Sequence, residues 1–188
     1  RPECGLVSEH AWIGESNAPR AFYHPDRLSA QLLWFESGEV EYRFSLGEID
    51  PVQVEWLEIS MELSSNAPMY REDFKSDIYV GLGEHELGVW TSPGDYGARR
   101  GRFNPSWWSD TSSQYGLLKT WRVDGTGCTL DGEPLSAVTI ADLNLCAQDY
   151  LALRIGVHAD AAHVGGINLF GEQFGDFAQG IVVRVGYA

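Results

Sequence analysis

Apolar positions in this chain recur every second residue. In LEISMEL (Leu57 to Leu63), Leu57, Ile59, Met61 and Leu63 fall on one side and Glu58, Ser60 and Glu62 on the other. Successive side chains of a strand alternate across a sheet, so this segment is predicted to be a half-buried strand with its acids on a solvated outer face. QLLWF (Gln31 to Phe35) and VEYRFSL (Val40 to Leu46) flank ESGE, which predicts a hairpin around Gly38. DIYVGL (Asp77 to Leu82) and ELGVW (Glu86 to Trp90) flank a second short Gly-bearing turn. LLKTWRV (Leu117 to Val123), YLALRIGVH (Tyr150 to His158) and IVVRVGY (Ile181 to Tyr187) follow the same alternation. SAVTIADLNL (Ser136 to Leu145) is a modest helical candidate, rich in β-branched residues, and reads equally as one turn leading into a strand. The connection from Thr91 to Leu117 is too long for a hairpin loop and is expected to be functional. The expectation is an all-β fold: one antiparallel β-sandwich over residues 1–188, jelly-roll-like, with a long aromatic, Arg- and Gly-rich crossover loop.

Composition narrows the partners. The chain has 188 residues, enough for one domain with a real core, and its 44% hydrophobic and 21% charged residues are ordinary for a globular protein. Twenty-seven acidic residues against 13 basic ones give a formal net charge of -14. A broad grip on nucleic acid needs a basic face, so this balance argues against one. Cys4, Cys128 and Cys146 are sparse and odd in number, with no CxxC pair, and are expected to be reduced thiols in a cytoplasmic protein. No run of 18 apolar residues is present, so no membrane partner is expected, and no leader is visible. The first residue is Arg rather than Met, which fits a fragment or a processed form.

Two stretches carry candidate chemistry. The first is WTSPGDYGARRGRFNPSWW (Trp90 to Trp108), which places Arg99, Arg100 and Arg102 between aromatics. In the functional reading, Trp90, Tyr96, Trp107, Trp108 and Tyr115 offer ring faces to a ligand. The arginine forks would then hold a carboxylate, phosphate or hydroxyl group, with Asp95 also counted among the ligand-binding residues. In the structural reading the loop packs its own aromatics and pairs its arginines with local acids such as Asp95 and Asp110. The second stretch is HADAAHVGGINLFGEQFGDF (His158 to Phe177). Its spacing of His158, Asp160 and His163 is not that of HExxH, so no metal is expected. Either it is a Gly-bent loop whose Phe170, Phe174 and Phe177 plug the sandwich end, or His163, Asn168 and Glu172 line a pocket. The GxSxG, P-loop and GxGxxG patterns are missing, so neither a catalytic residue nor a cofactor is assigned.

The order and spacing of several motifs resemble a known family. SDIYVGLGEHELGVWTSPGDYGARRGRFNPSWW, SQYGLLKTWRV, LRIGVHADAAHVGGINLFGEQFGDF and IVVRV are similar to the C-terminal region of bacterial transcriptional regulators with an N-terminal winged helix-turn-helix of the arsenic-repressor (ArsR) type. The likeness runs from about Leu28 to Tyr187. It implies an effector-sensing or dimer-supporting domain, with DNA contacted only through an N-terminal module. The residues ahead of Trp12 are too few for such a module. Gly180 stands where the family usually carries an acid. The expected effector is a small polar molecule, a sugar or sugar acid, and a homodimer would orient the DNA-binding modules. The alternatives are a stand-alone carbohydrate-binding module, a glycan-active hydrolase or lyase using His163 or an acid pair, and a purely structural dimerisation domain.

Overall fold

The computed structural model describes residues 3–187. Its strands are β1 (Cys4–Val7), β2 (Trp12–Ile13), β3 (Leu32–Phe35), β4 (Gly38–Ser45), β5 (Val54–Ser64), β6 (Ser76–Leu82), β7 (His85–Ser92), β8 (Leu117–Val123), β9 (Cys128–Leu130), β10 (Glu133–Ser136), β11 (Tyr150–Val157), β12 (Ile167–Phe170) and β13 (Val182–Tyr187). Among the described residues, nine strands form one antiparallel sheet in the order β10-β9-β8-β5-β12-β3-β1-β2, with β13 pairing the first half of β5. Four form the other, in the order β4-β11-β6-β7. The fold is the expected all-β sandwich, and the chain changes sheet repeatedly, as in a jelly roll.

The two-residue period sets the core. Leu57, Ile59, Met61 and Leu63 of β5 pack with Trp121 and Val123 of β8. Facing them are Ile78, Val80 and Leu82 of β6, Leu87 of β7, and Leu151, Leu153, Ile155 and Val157 of β11. Burying a side chain of this size stabilises the fold by roughly 1.5–3 kcal/mol, so this alternating set supplies the main driving force.

Four expectations are corrected. The segments around Gly38 form no hairpin: β3 pairs β1 and β12 in the large sheet, whereas β4 pairs β11 in the small one. Gly38, at φ 103°, turns the chain from one sheet to the other. The helical candidate contains no helix: β10 ends at Ser136, and a 3-10 turn follows at Leu145–Ala147. Asp142 bonds the amide and hydroxyl of Thr139, both at 2.8 Å, which favours a turn over helix continuation. The stretch after His163 is not wholly a loop. Ile167–Phe170 is a fully buried central strand, with no solvated face to produce alternation. Glu62, expected in solvent, is fully buried, because the segment between β7 and β8 folds over the outer face of the large sheet.

That crossover segment gives the sandwich a third layer. Trp108 from the crossover and Phe174 from the loop after β12 pack on Val7, Leu32 and Phe170, with Trp34 alongside. Cys4 and Cys128 are buried and Cys146 is exposed, each a free thiol. Among the described residues, no helix is long and apolar enough to cross a membrane.

Candidate functional site

The outer face of the large sheet can be read from its registers. Glu62, Phe170, Leu32 and Val7 lie in one row across β5, β12, β3 and β1; Ser64, Asn168, Trp34 and Gly5 lie in the next. Trp12 pairs with Val7 at the sheet edge. A Cβ at Gly5 would strike the Trp34 ring, so the glycine lets that indole lie close over β1. The crossover then brings Trp108 down beside both. Ring centroids are 5.5 Å apart for Trp12–Trp34, 5.9 Å for Trp12–Trp108 and 6.2 Å for Trp34–Trp108.

These rings border a cleft of about 330 Å³. Asn66, Met69, Thr111, Ser113 and Asn168 also line it, and Glu3 is the one ionised side chain among the lining residues. Trp12 is 49% exposed and presents its indole to whatever enters, whereas Trp108 is 6% exposed. Trp108 donates its indole N–H to the Ser113 carbonyl at 2.9 Å. Trp107 sits at right angles to it and donates to the Glu9 carbonyl at 2.7 Å, tying the crossover to the β1–β2 turn.

A buried polar network lies under the cleft. The Asn168 amide donates to the Ser65 carbonyl at 2.6 Å, the Ser113 hydroxyl at 3.0 Å and the Ser64 hydroxyl at 3.2 Å. Asp95 accepts from the Ser113 hydroxyl at 2.7 Å and the Ala67 amide at 2.9 Å, both through Oδ2. Its Oδ1 has no partner among the described residues. Burial pushes the Asp95 carboxyl up to about 7, against the opposing pull of the Ala67 amide, Ser113 and Asn168. Asp95 is thus no arginine partner, because dry packing places it among hydroxyl and amide donors.

The arginines hold the crossover in place. Arg99 makes a two-pronged pair with Asp176, and its guanidinium lies 3.8 Å from the centre of the Tyr115 ring, which stacks on Tyr96. Arg100 bonds Asp110 and the carbonyls of Trp108 and Pro105. Arg102 donates its backbone N–H to Asp176 at 3.2 Å. Burial would raise the Asp176 carboxyl, but Arg99 and the Arg102 amide outweigh it and keep it below the ordinary aspartate value. Glu62 completes the clasp. It accepts from the amides of Gly116 at 2.8 Å, Asp176 at 2.9 Å and Phe177 at 3.1 Å. Burial raises its carboxyl despite those three amides.

Of the residues singled out from sequence, Trp108 and Asn168 line the cleft, and Asp95 lies directly beneath it. Trp107, Tyr96, Tyr115, Arg99, Arg100 and Arg102 shape or pin the crossover. Trp90 packs on the main core, with the Lys119 ammonium 5.2 Å from its ring centre. His163 pairs with Asp77 of β6, and Glu172 is exposed on the loop after β12. His158 stacks on Tyr79 at 4.1 Å and bonds Glu86, so the two histidines serve different acids. Trp12, Trp34, Asn66 and Ser113 were missed. One signal was available: Trp34 lies on the opposite side of its strand from Leu33 and Phe35, an aromatic where alternation predicts a polar residue.

No family model matches the chain, and no curated protein does. Among solved structures, a crystal structure of a family 7 alginate lyase, A1-II', in complex with product aligns over 98% of this chain and 95% of that one. Identity is 11% and the TM-score 0.35. A likeness at that level bears on neither activity nor substrate.

Proposed function

We propose that this chain is an effector-binding domain that takes a small, neutral, hydroxyl-rich molecule, a sugar, in the tryptophan cleft. The observation that carries the reading is the meeting of Trp12, Trp34 and Trp108 beside Asn66 and Asn168. Indole faces suit the C–H surface of a pyranose, and amide and hydroxyl groups suit its edge. The sugar acid is the weaker form of the idea. Arg99 and Arg100 are committed to Asp176, Asp110 and loop carbonyls, and no cation is among the cleft's lining residues. The motif resemblance supports placing the domain in a bacterial transcription regulator whose DNA contacts belong to a winged helix-turn-helix. For such a device to switch, the sugar must bind one arrangement of the regulator better than another. The crossover suits that role, since Trp108 lines the cleft while Trp107 grips the β1–β2 turn.

Calorimetric titration with a panel of neutral sugars and sugar acids tests the reading. At least one neutral sugar should bind, and Trp12→Ala should weaken it about tenfold or more, a loss of about 1.4 kcal/mol. Unchanged affinity in both Trp12→Ala and Asn168→Ala would place the ligand elsewhere. A stand-alone carbohydrate-binding module would use the same cleft; a winged helix encoded upstream decides for the regulator.

A further inference from the structure

We propose that the ligand is an oligosaccharide, its chain running from the tryptophan cleft into a second cleft beside it. This rests on the sugar-binding reading of the first cleft and specifies its substrate. The second cleft, of about 320 Å³, is lined by Glu36, Phe74, Val164 and Gly165, together with Glu3, Asn66 and Pro68. Those last three residues also line the tryptophan cleft, so the two clefts lie side by side along one trench with a wall in common. Concave ligand sites span roughly 300–1,000 Å³; each cleft lies near the lower bound, and the pair is of middling size.

The two ends differ in chemistry. The first offers indole faces and amide or hydroxyl groups. Asn168, 1% exposed, commits its amide N–H groups to Ser64, Ser65 and Ser113 and so fixes the floor of that end. The second offers the Phe74 ring, the Val164 side chain and the carboxylates of Glu3 and Glu36. Carboxylates accept hydrogen bonds from sugar hydroxyls or an amine and repel acidic groups. Every ionised side chain among the lining residues of the trench is therefore negative, in a chain of net charge -14. Uronate and sulfated chains are disfavoured; neutral and amine-bearing chains fit.

The shared wall is built to hold this shape. Asn66, Pro68 and Met69 belong to the β5–β6 connection, where Met69 (φ 56°) and Tyr70 (φ 43°) both take the left-handed conformation that non-glycine residues avoid. Opposite them, Gly166 has φ 66°, and a Cβ there would come within 3.0 Å of the Asn66 side chain. It would also meet the Phe35 carbonyl oxygen at 2.8 Å, so only glycine lets β12 begin this close to Phe35 and Asn66.

The test is calorimetric titration of the whole chain with matched mono-, di- and trisaccharides of glucose (cellobiose and cellotriose, maltose and maltotriose), of glucosamine and of galacturonic acid. Affinity should rise about tenfold or more from monosaccharide to trisaccharide in a neutral or amine-bearing series, with no such rise in the uronate series. Glu36→Gln should lower trisaccharide affinity about threefold to tenfold and leave the monosaccharide unchanged, while Trp12→Ala weakens both. Equal affinity for monosaccharide and trisaccharide overturns the oligosaccharide inference and leaves the tryptophan cleft standing. A uronate trimer that binds as tightly as the neutral one overturns the assignment to neutral or amine-bearing chains. If nothing in the panel binds, the sugar-binding reading fails, and this inference with it.

Discussion

Replacing Asp95 by Asn should remove a fall in stability with pH that the native carboxyl imposes. Asp95 is fully buried, and burial lifts its pKa from the ordinary 3.8 to about 7. A carboxyl raised in this way keeps its proton in the folded chain where the unfolded chain has released it. Folding then takes up a proton between those two values, so stability is greatest below the unfolded pKa and declines as pH rises through the folded one. A tenfold change in a proton-binding constant is worth about 1.4 kcal/mol, so a change of about a thousandfold caps the whole effect at about 4 kcal/mol. About 3 kcal/mol of that falls between pH 5 and pH 8. Asn stays neutral and contributes no slope. The assay is urea unfolding of wild type and Asp95→Asn at intervals across that range, taking the difference in unfolding free energy at each pH. Groups common to both proteins cancel, and the difference should move by about 3 kcal/mol in favour of the variant as pH rises. Parallel curves would refute the reasoning. So would an Asp95 carboxyl carbon resonance that titrates near the ordinary aspartate value, a measurement that needs no variant.

Glu62→Ala should destabilise the fold by about 3 kcal/mol in the same unfolding assay, because the amides of Gly116, Asp176 and Phe177 lose their acceptor. Glu62→Gln keeps an acceptor oxygen and should cost less. Arg99→Ala removes the pair with Asp176 but should cost no more than about 1 kcal/mol, since the guanidinium is 54% exposed and screened. It should leave sugar affinity unchanged, because Arg99 does not line the cleft.

The hydrophobic pattern by itself determined the class of fold and most strands. In β5, β6, β8 and β11, the residues alternation assigned inward are the ones the core buries. It also made the Thr91–Leu117 segment a crossover too long for a hairpin, and that segment does pass from one sheet to the other. Pairing it determined only in part: the Gly-bearing turn after Leu82 does join β6 and β7 as an antiparallel pair. Nothing local distinguishes a turn that reverses a chain within a sheet from one that carries it to the opposite sheet, so β3 and β4 read as a hairpin. Tertiary structure alone decided which acids leave water. Glu58 and Glu62 occupy equivalent positions in LEISMEL, yet Glu58 pairs with Arg122, while Glu62 is dry and holds three amides. The cleft was hidden for the same reason. Trp12, Trp34 and Trp108 are far apart in sequence and come from a strand edge, a central strand and a crossover. A two-residue period states which side of a strand a residue takes; what covers that side depends on where distant chain comes to rest.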